Sequence, residues 1–252
     1  MIDIQCCDCL DGLKGIQDKS IDCVVTSPPY NVGTKYGSYK DKRTDYLSWT
    51  KQVFGELNRV LIDKGHFFLQ VGGTSSSPLI PMEVLQQALG SGFILQNEIV
   101  WVKNITVNGD SYGQFKPLNT DKYLNNTHEL IFHLTKNGFI PIDKIATGVP
   151  YKWKSNIKRF KHKRKLRCRG NVWYIPYETI QKKAERFNHP ATFPIELPKM
   201  CIQLSGISKG ATVLDPFLGI GSTLVASREL GMNGIGFDID QKYIEATEKR
   251  LS

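Results

Sequence analysis

The chain has 252 residues, of which 40% are hydrophobic and 23% charged, and a formal net charge of +9. A chain of this size and composition fits one globular α/β domain with insertions. It holds no uncharged apolar run near the roughly 18 residues of a membrane span, and Met1-Ile2-Asp3-Ile4 lacks the basic-then-apolar order of a signal peptide, so a cytoplasmic protein with no membrane partner is expected.

In chain order, residues 2–7 read as a short strand ending at Asp8, and Leu10, Leu13 and Ile16 as one face of a short helix. Cys6 and Cys9 form a C-x-x-C that lacks the second half a zinc site needs, so no metal is expected and the six cysteines read as reduced. Ile21-Asp22-Cys23-Val24-Val25-Thr26 is a buried strand. Residues 31–44, polar and rich in Tyr and Lys, predict a loop over whatever site follows that strand. Leu47, Val53, Phe54, Leu57, Val60 and Leu61 have helical spacing, with a stop by Lys64-Gly65 and a strand over residues 65–71. Residues 81–89 predict a helix opened by proline, and residues 93–102 and 127–134 two more strands across a polar loop. A helix over 194–204, a strand over 211–215, a helix over 222–230, a strand over 233–237 and a charged helix over 241–251 complete the chain. Strands alternating with helices argue for a mostly parallel sheet covered on both faces.

Two stretches carry chemistry. Strand 21–26 runs into Ser27-Pro28-Pro29-Tyr30, where two prolines fix the backbone and hold the Ser27 and Pro28 carbonyls at set angles beside a hydroxyl and an aromatic ring. Acceptors for an amino group next to a flat face suit a nucleobase; a proline-terminated strand with a packing tyrosine is the bland alternative. The second is Asp215-Pro216-Phe217-Leu218-Gly219-Ile220-Gly221-Ser222-Thr223, a Gly-x-Gly turn between a strand and a helix, with Asp238 ending the next strand. A Gly-x-Gly alone is weak, and Leu224 occupies the third glycine position of the dinucleotide pattern. Strand, turn, helix, strand and aspartate together fit a nucleoside, with the carboxylate of Asp238 facing ribose hydroxyls.

Thr26-Ser27-Pro28-Pro29-Tyr30 ahead of this second stretch resembles the exocyclic-amino DNA methyltransferases of bacteria, and the motif order is similar to their β-class permutation. The likeness runs over nearly the whole chain and includes His189-Pro190-Ala191-Thr192-Phe193-Pro194. It implies a doubly wound, mostly parallel sheet of the seven-stranded class I S-adenosylmethionine methyltransferase type, permuted, with S-adenosylmethionine as methyl donor. By the same resemblance Asp215, Pro216, Phe217, Gly219, Gly221, Ser222 and Thr223 wrap the methionine part, Asp238 takes the ribose, Asp8 or its neighbours face the adenine, and Pro190, Thr192 and Phe193 close the pocket. Relatives often carry lysine where Phe193 stands, so the resemblance does not carry a polar cofactor contact over to that position.

An exocyclic amine is a poor nucleophile because its lone pair is delocalised into the ring. Acceptors at the Ser27 hydroxyl and the Pro28 carbonyl favour the pyramidal form it takes in the transition state, and Tyr30 stacks on a base flipped out of duplex DNA. Serine at the first position of the tetrapeptide resembles the cytosine-N4 members more than the adenine-N6 members, which remain the alternative. No Pro-Cys pair is present, which argues against ring-carbon methylation.

Ten basic residues and no acidic one occupy residues 152–169: Lys152, Lys154, Lys158, Arg159, Lys161, Lys163, Arg164, Lys165, Arg167 and Arg169. Subtracting these ten from the net +9 leaves the rest of the chain at −1. With the aromatics around them they suit DNA phosphates, and residues 136–188 read as a target-recognition insert between catalytic parts at 1–135 and 189–252; a solvated basic loop is the alternative. The expected activity is site-specific DNA methylation in a restriction–modification system, with a cognate endonuclease and a homodimer as further possible partners. A methyltransferase acting on RNA or protein amide, and a nucleic-acid binder without catalysis, are the competing functions.

Overall fold

The computed structural model describes residues 1–36, 39–103, 106–107, 110–111, 118–153, 165–176 and 192–252. Eight strands form the central sheet; in chain order they are β1 (Ile2–Cys6), β2 (Ile21–Thr26), β3 (Leu61–Val71), β4 (Ile94–Val102), β5 (His128–Thr135), β6 (Val172–Tyr174), β7 (Thr212–Asp215) and β8 (Asn233–Asp238). Among the described residues six helices accompany them: α1 (Cys9–Lys14), α2 (Tyr46–Val60), α3 (Ile80–Leu89), α4 (Glu196–Ser205), α5 (Ser222–Glu229) and α6 (Gln241–Leu251). The strand order is β1-β8-β7-β2-β3-β5-β4-β6, and β5 alone runs against its neighbours.

The inner strands carry near-continuous apolar runs because both faces are covered. Val24, Phe67, Leu69 and Leu214 point to one side, against α1, α2 and α3. Their neighbours Cys23, Val25, Phe68 and Val213 point to the other, against α4. This is the two-residue period of a strand feeding two cores. On α2 the buried set is Tyr46, Trp49, Thr50, Val53, Phe54, Leu57 and Val60, a stripe at helical spacing. Leu47, expected on that stripe, is exposed instead.

The structure departs from the sequence-based expectation in four places. The sheet has eight strands where seven were expected. Strand β3 starts at Leu61, four residues before Gly65, because Leu61 pairs with Ile21 ahead of a register irregularity. The segment 136–188 is not wholly an insert: Val172, Trp173 and Tyr174 pair in parallel with Val100, Trp101 and Val102 and close the sheet's edge. Trp173 and Ile175 are buried in the main core, and the Trp101 indole donates to the Ile175 carbonyl at 2.9 Å. Apolar burial behind an edge strand draws that end of the segment into the domain. What remains apart among the described residues is a two-stranded ribbon, Val149–Pro150 against Leu166–Arg167. The loop expected over residues 31–44 likewise holds a short ribbon, Lys35–Tyr36 against Tyr39–Lys40.

Gly221 caps the start of α5 in the left-handed conformation, at φ +77°. A Cβ there would lie 2.3 Å from Thr247 Cγ2 on α6, so the turn needs glycine twice over. Replacing Gly221 with alanine is expected to cost roughly 2–4 kcal/mol, from the left-handed strain plus the clash. Gly210→Ala, at φ +85° with open space around it, should cost only the strain, about 1–2 kcal/mol. Urea midpoints of the two variants check this, and equal losses would contradict the close packing of α6 on the turn.

Candidate active site

The site lies at the edge of the sheet where β1, β2, β3, β4, β7 and β8 end. Strand β5, running the other way, starts there. One cavity at this edge is lined by Ser27, Pro28, Pro29 and Tyr30 after β2 and by Asp238 at the end of β8, with residues 216–220 between them. The two constellations read from the sequence, separated by almost the length of the chain, therefore share one space.

Their connection is a buried carboxylate. Asp215, 1% exposed, accepts from Thr26 Oγ1 at 2.6 Å, Thr223 Oγ1 at 2.6 Å and the Phe217 backbone N–H at 3.1 Å. Burial pushes its carboxyl up to about 6, while the Thr223, Thr26 and Phe217 donors pull it down. Asp215, Gly221 and Thr223 do not line the cavity; they hold the turn from behind. Pro216, Phe217, Gly219 and Ser222 do line it.

Asp238 accepts from the Gly219 N–H at 2.8 Å through Oδ2 and from the Asp240 N–H at 2.9 Å through Oδ1. Burial raises its carboxyl to about 6, against the pull of those two N–H groups; Asp240 and Asp215 add to the rise. Asp8 lines the same cavity, and its Oδ1 caps α1 by accepting from the Leu10 N–H at 2.8 Å. Thr192 and Phe193 also face it, and the Phe193 carbonyl accepts from Ser222 Oγ at 3.0 Å. Pro190 lies outside the described residues.

On the other side of the cavity, Ser27 Oγ and Tyr30 Oη are 3.1 Å apart. The Tyr30 hydroxyl reaches Gln70 Oε1 at 3.0 Å and Glu129 Oε2 at 3.3 Å. Burial and then the Glu129 carboxylate hold the Tyr30 phenol well above its ordinary range, so it stays a neutral hydroxyl. The Pro29 carbonyl is taken by Tyr46 Oη at 2.6 Å, whereas no described residue donates to the Pro28 carbonyl. Beyond the turn, the buried carboxylate of Asp41 accepts from the Asn31 and Val32 N–H groups at 2.8 and 3.1 Å and fixes where the chain leaves.

Gln70, Glu129, Lys103 and Trp49 line the cavity too, and sequence reasoning passed over them. Lys103 is ion-paired with Glu129, and the Phe217 ring meets Trp49 edge-on at 5.6 Å. The available signals were a glutamine inside the apolar run of β3 and a glutamate opening that of β5. Of the ten basic residues, Lys154, Lys158, Arg159, Lys161, Lys163 and Arg164 lie outside the described residues. Lys165 and Arg167 are exposed on the ribbon, Lys152 sits 5.4 Å from the Trp153 ring, and Arg169 donates to the Thr147 carbonyl at 3.0 Å.

Comparison with known proteins adds the family. The type II methyltransferase M.BglII of Bacillus subtilis is 28% identical over 260 residues, covering 97% of this chain and 67% of that one. The DNA adenine methyltransferase YhdJ of Escherichia coli K12 is 28% identical over 258 residues, covering 97% of this chain and 80% of that one. Among solved structures, the cytosine-N4-specific PvuII DNA methyltransferase superposes with a TM-score of 0.74 at 19% identity, covering 100% of this chain and 86% of that one. The M1.HpyAVI–SAM complex superposes at 0.63 and 19% identity, with both chains covered in full. These likenesses bear out the mostly parallel α/β sheet of this methyltransferase fold. The model described as DNA methylase matches residues 21–249, and the chain belongs to that family.

Proposed function

We propose that this protein transfers a methyl group from S-adenosylmethionine to the exocyclic N4 amino group of cytosine in duplex DNA, at a specific sequence and as the partner of a restriction endonuclease. The observation that carries the reading is the single cavity shared by Ser27, Pro28 and Tyr30 on one wall and Asp238 on the other.

The residues fit the methyl donor. A carboxylate offers about four lone-pair positions, and backbone N–H groups occupy only one on each oxygen of Asp238, which leaves acceptors for two ribose hydroxyls. Asp8, Phe217, Gly219, Ser222 and Thr192 all line the cavity; Asp8 and its neighbours would face the adenine, and the others would hold the rest. When bound, S-adenosylmethionine supplies an electrophilic methyl carbon on a sulfonium, which is a good leaving group. The work left to the chain is positioning. The Ser27 hydroxyl and the Pro28 carbonyl accept from the target amine, and the Tyr30 ring stacks on a base extruded from the duplex.

Cytosine is favoured by the hydroxyl at the first position of the tetrapeptide and by the cytosine-N4 specificity of the PvuII enzyme. Adenine N6 is the second reading, favoured by the adenine methyltransferase among the relatives. Incubation with labelled donor and unmethylated duplex DNA, followed by digestion and mass identification of nucleosides, should yield N4-methylcytosine. N6-methyladenine would overturn the base assignment. Absence of transfer despite donor binding would overturn the DNA substrate.

Donor affinity should depend on pH through Asp238. Below about 6 its carboxyl is protonated and loses an acceptor for the ribose, so affinity falls as pH drops through that range and is level above it. Calorimetric titration across this range checks the step, and Asp238→Asn should remove it; a step that persists belongs to another group. For DNA, replacing Lys152, Lys165 and Arg167 together with alanine is expected to weaken binding and lower the salt slope by about one for each phosphate no longer neutralised. An unchanged slope would remove these residues from the interface.

A further inference from the structure

Ser27 can accept a hydrogen bond from the target amine but cannot keep the proton that methylation releases. A nitrogen that has just gained a methyl group carries positive charge and is a strong acid, so the proton needs an acceptor beyond the serine. Four carboxylates line the cavity among the described residues: Asp8, Asp238, Asp240 and Glu129. Asp8 caps α1, and Asp238 and Asp240 hold the turn after β8 and the start of α6. Glu129 alone is bonded to the acceptor wall.

We propose that Glu129 is the terminal proton acceptor of methyl transfer, reached from the target amine through the hydroxyls of Ser27 and Tyr30. The proposal rests on the amino-methylation reading above. The path is continuous: Ser27 Oγ to Tyr30 Oη is 3.1 Å, and Tyr30 Oη to Glu129 Oε2 is 3.3 Å. Gln70 flanks it: its Nε2 donates to Glu129 Oε2, and its Oε1 lies 3.0 Å from the Tyr30 hydroxyl, whose single proton turns from Gln70 to Glu129 when the relay operates. Glu129 is 14% exposed, is ion-paired with Lys103, and is seated in space that Gly72 leaves open. A Cβ on Gly72 would lie 2.7 Å from the Glu129 Cδ. The ionisable groups facing the Tyr30 phenol are Glu129 and Tyr36, with Lys103 behind Glu129.

The step balances. The amine nitrogen bonds the methyl carbon while the carbon–sulfur bond breaks and its electron pair stays on sulfur, leaving a neutral thioether. One N–H proton passes to Ser27 Oγ, the Ser27 proton to Tyr30 Oη, and the Tyr30 proton to Glu129 Oε2. Ser27 and Tyr30 end neutral, and Glu129 ends as a carboxylic acid that returns its proton to water. Tyr30 thus acts both as a stacking ring and as a conduit.

The test uses the full chain with duplex DNA and saturating donor, comparing wild type, Glu129→Gln, Tyr30→Phe and the double variant in single turnover. Each single variant is expected to lose about 10²-fold in rate, within the usual range for removing a positioned acid or base. The double variant should be no slower than the worse single one, because both interrupt one path. In Glu129→Gln the donor affinity by calorimetry should stay within about threefold of wild type, so that the loss falls on the transfer step and not on binding. In the protein without donor, carbon-13 tyrosine spectra should show the Tyr30 phenol ionising at lower pH once the Glu129 charge is gone. A wild-type rate in Glu129→Gln, or losses that multiply in the double variant, would overturn the relay alone. A wild type that methylates no amino group would overturn the parent reading and the relay with it. Should Glu129→Gln not melt cooperatively, Tyr30→Phe decides: it keeps the ring and the stack, and an unchanged rate in it would sink the proposal.

Discussion

The buried carboxylate of Asp215 is the contact on which the site depends. It joins Thr26, the last residue of β2, to Thr223 in the first turn of α5, across 189 residues of sequence in the first case. It also fixes the Phe217 N–H, so the acceptor wall and the cofactor turn descend from one group. Hydrogen bonds to a charged acceptor contribute about 1.5–3 kcal/mol each, and a buried carboxylate stripped of its donors is costly. Sliding β2 against β7 would therefore disrupt both walls at once. Asp215 shapes the cavity from behind and does not line it.

The second constraint is strand direction. Six strands deliver their carboxyl ends to the site, as open parallel sheets do. Strand β5 runs against them and so delivers its amino end, which puts Glu129 opposite Trp101 and beside Gly72 at the same edge. A carboxylate thereby enters the acceptor wall from a strand that carries no recognisable motif. The polar side chains of this wall, Ser27, Tyr30, Gln70, Glu129 and Lys103, bond to one another before any substrate arrives. Preorganisation of this kind is what charge development in a transition state requires.

Much of this was legible in the sequence. The apolar run of β2 ending at two prolines, the Gly-x-Gly turn and Asp238 are local patterns whose meaning is set by backbone chemistry. Other parts depend on tertiary neighbours and leave no local mark. Nothing near Asp215 in sequence tells that its carboxylate turns inward to Thr26 instead of toward the cavity. Gln70 and Glu129 read as stray polar residues until antiparallel pairing brings them together. Trp173 looked like part of a basic, DNA-facing segment, and only the unpaired edge of β4 explains its burial. Gly65 looked like a helix stop and instead sits at an irregularity within β3.

The most direct test of this account is the donor affinity of Thr26→Val. The substitution removes one donor to Asp215 and leaves the shape of the side chain nearly unchanged, and Thr26 does not line the cavity. If Asp215 couples the two walls, affinity for S-adenosylmethionine should fall by about tenfold, the equivalent of roughly 1.4 kcal/mol, and the methylation rate should fall with it. Unchanged affinity in a folded variant would mean that the cofactor turn stands without the acceptor wall, contrary to the central claim.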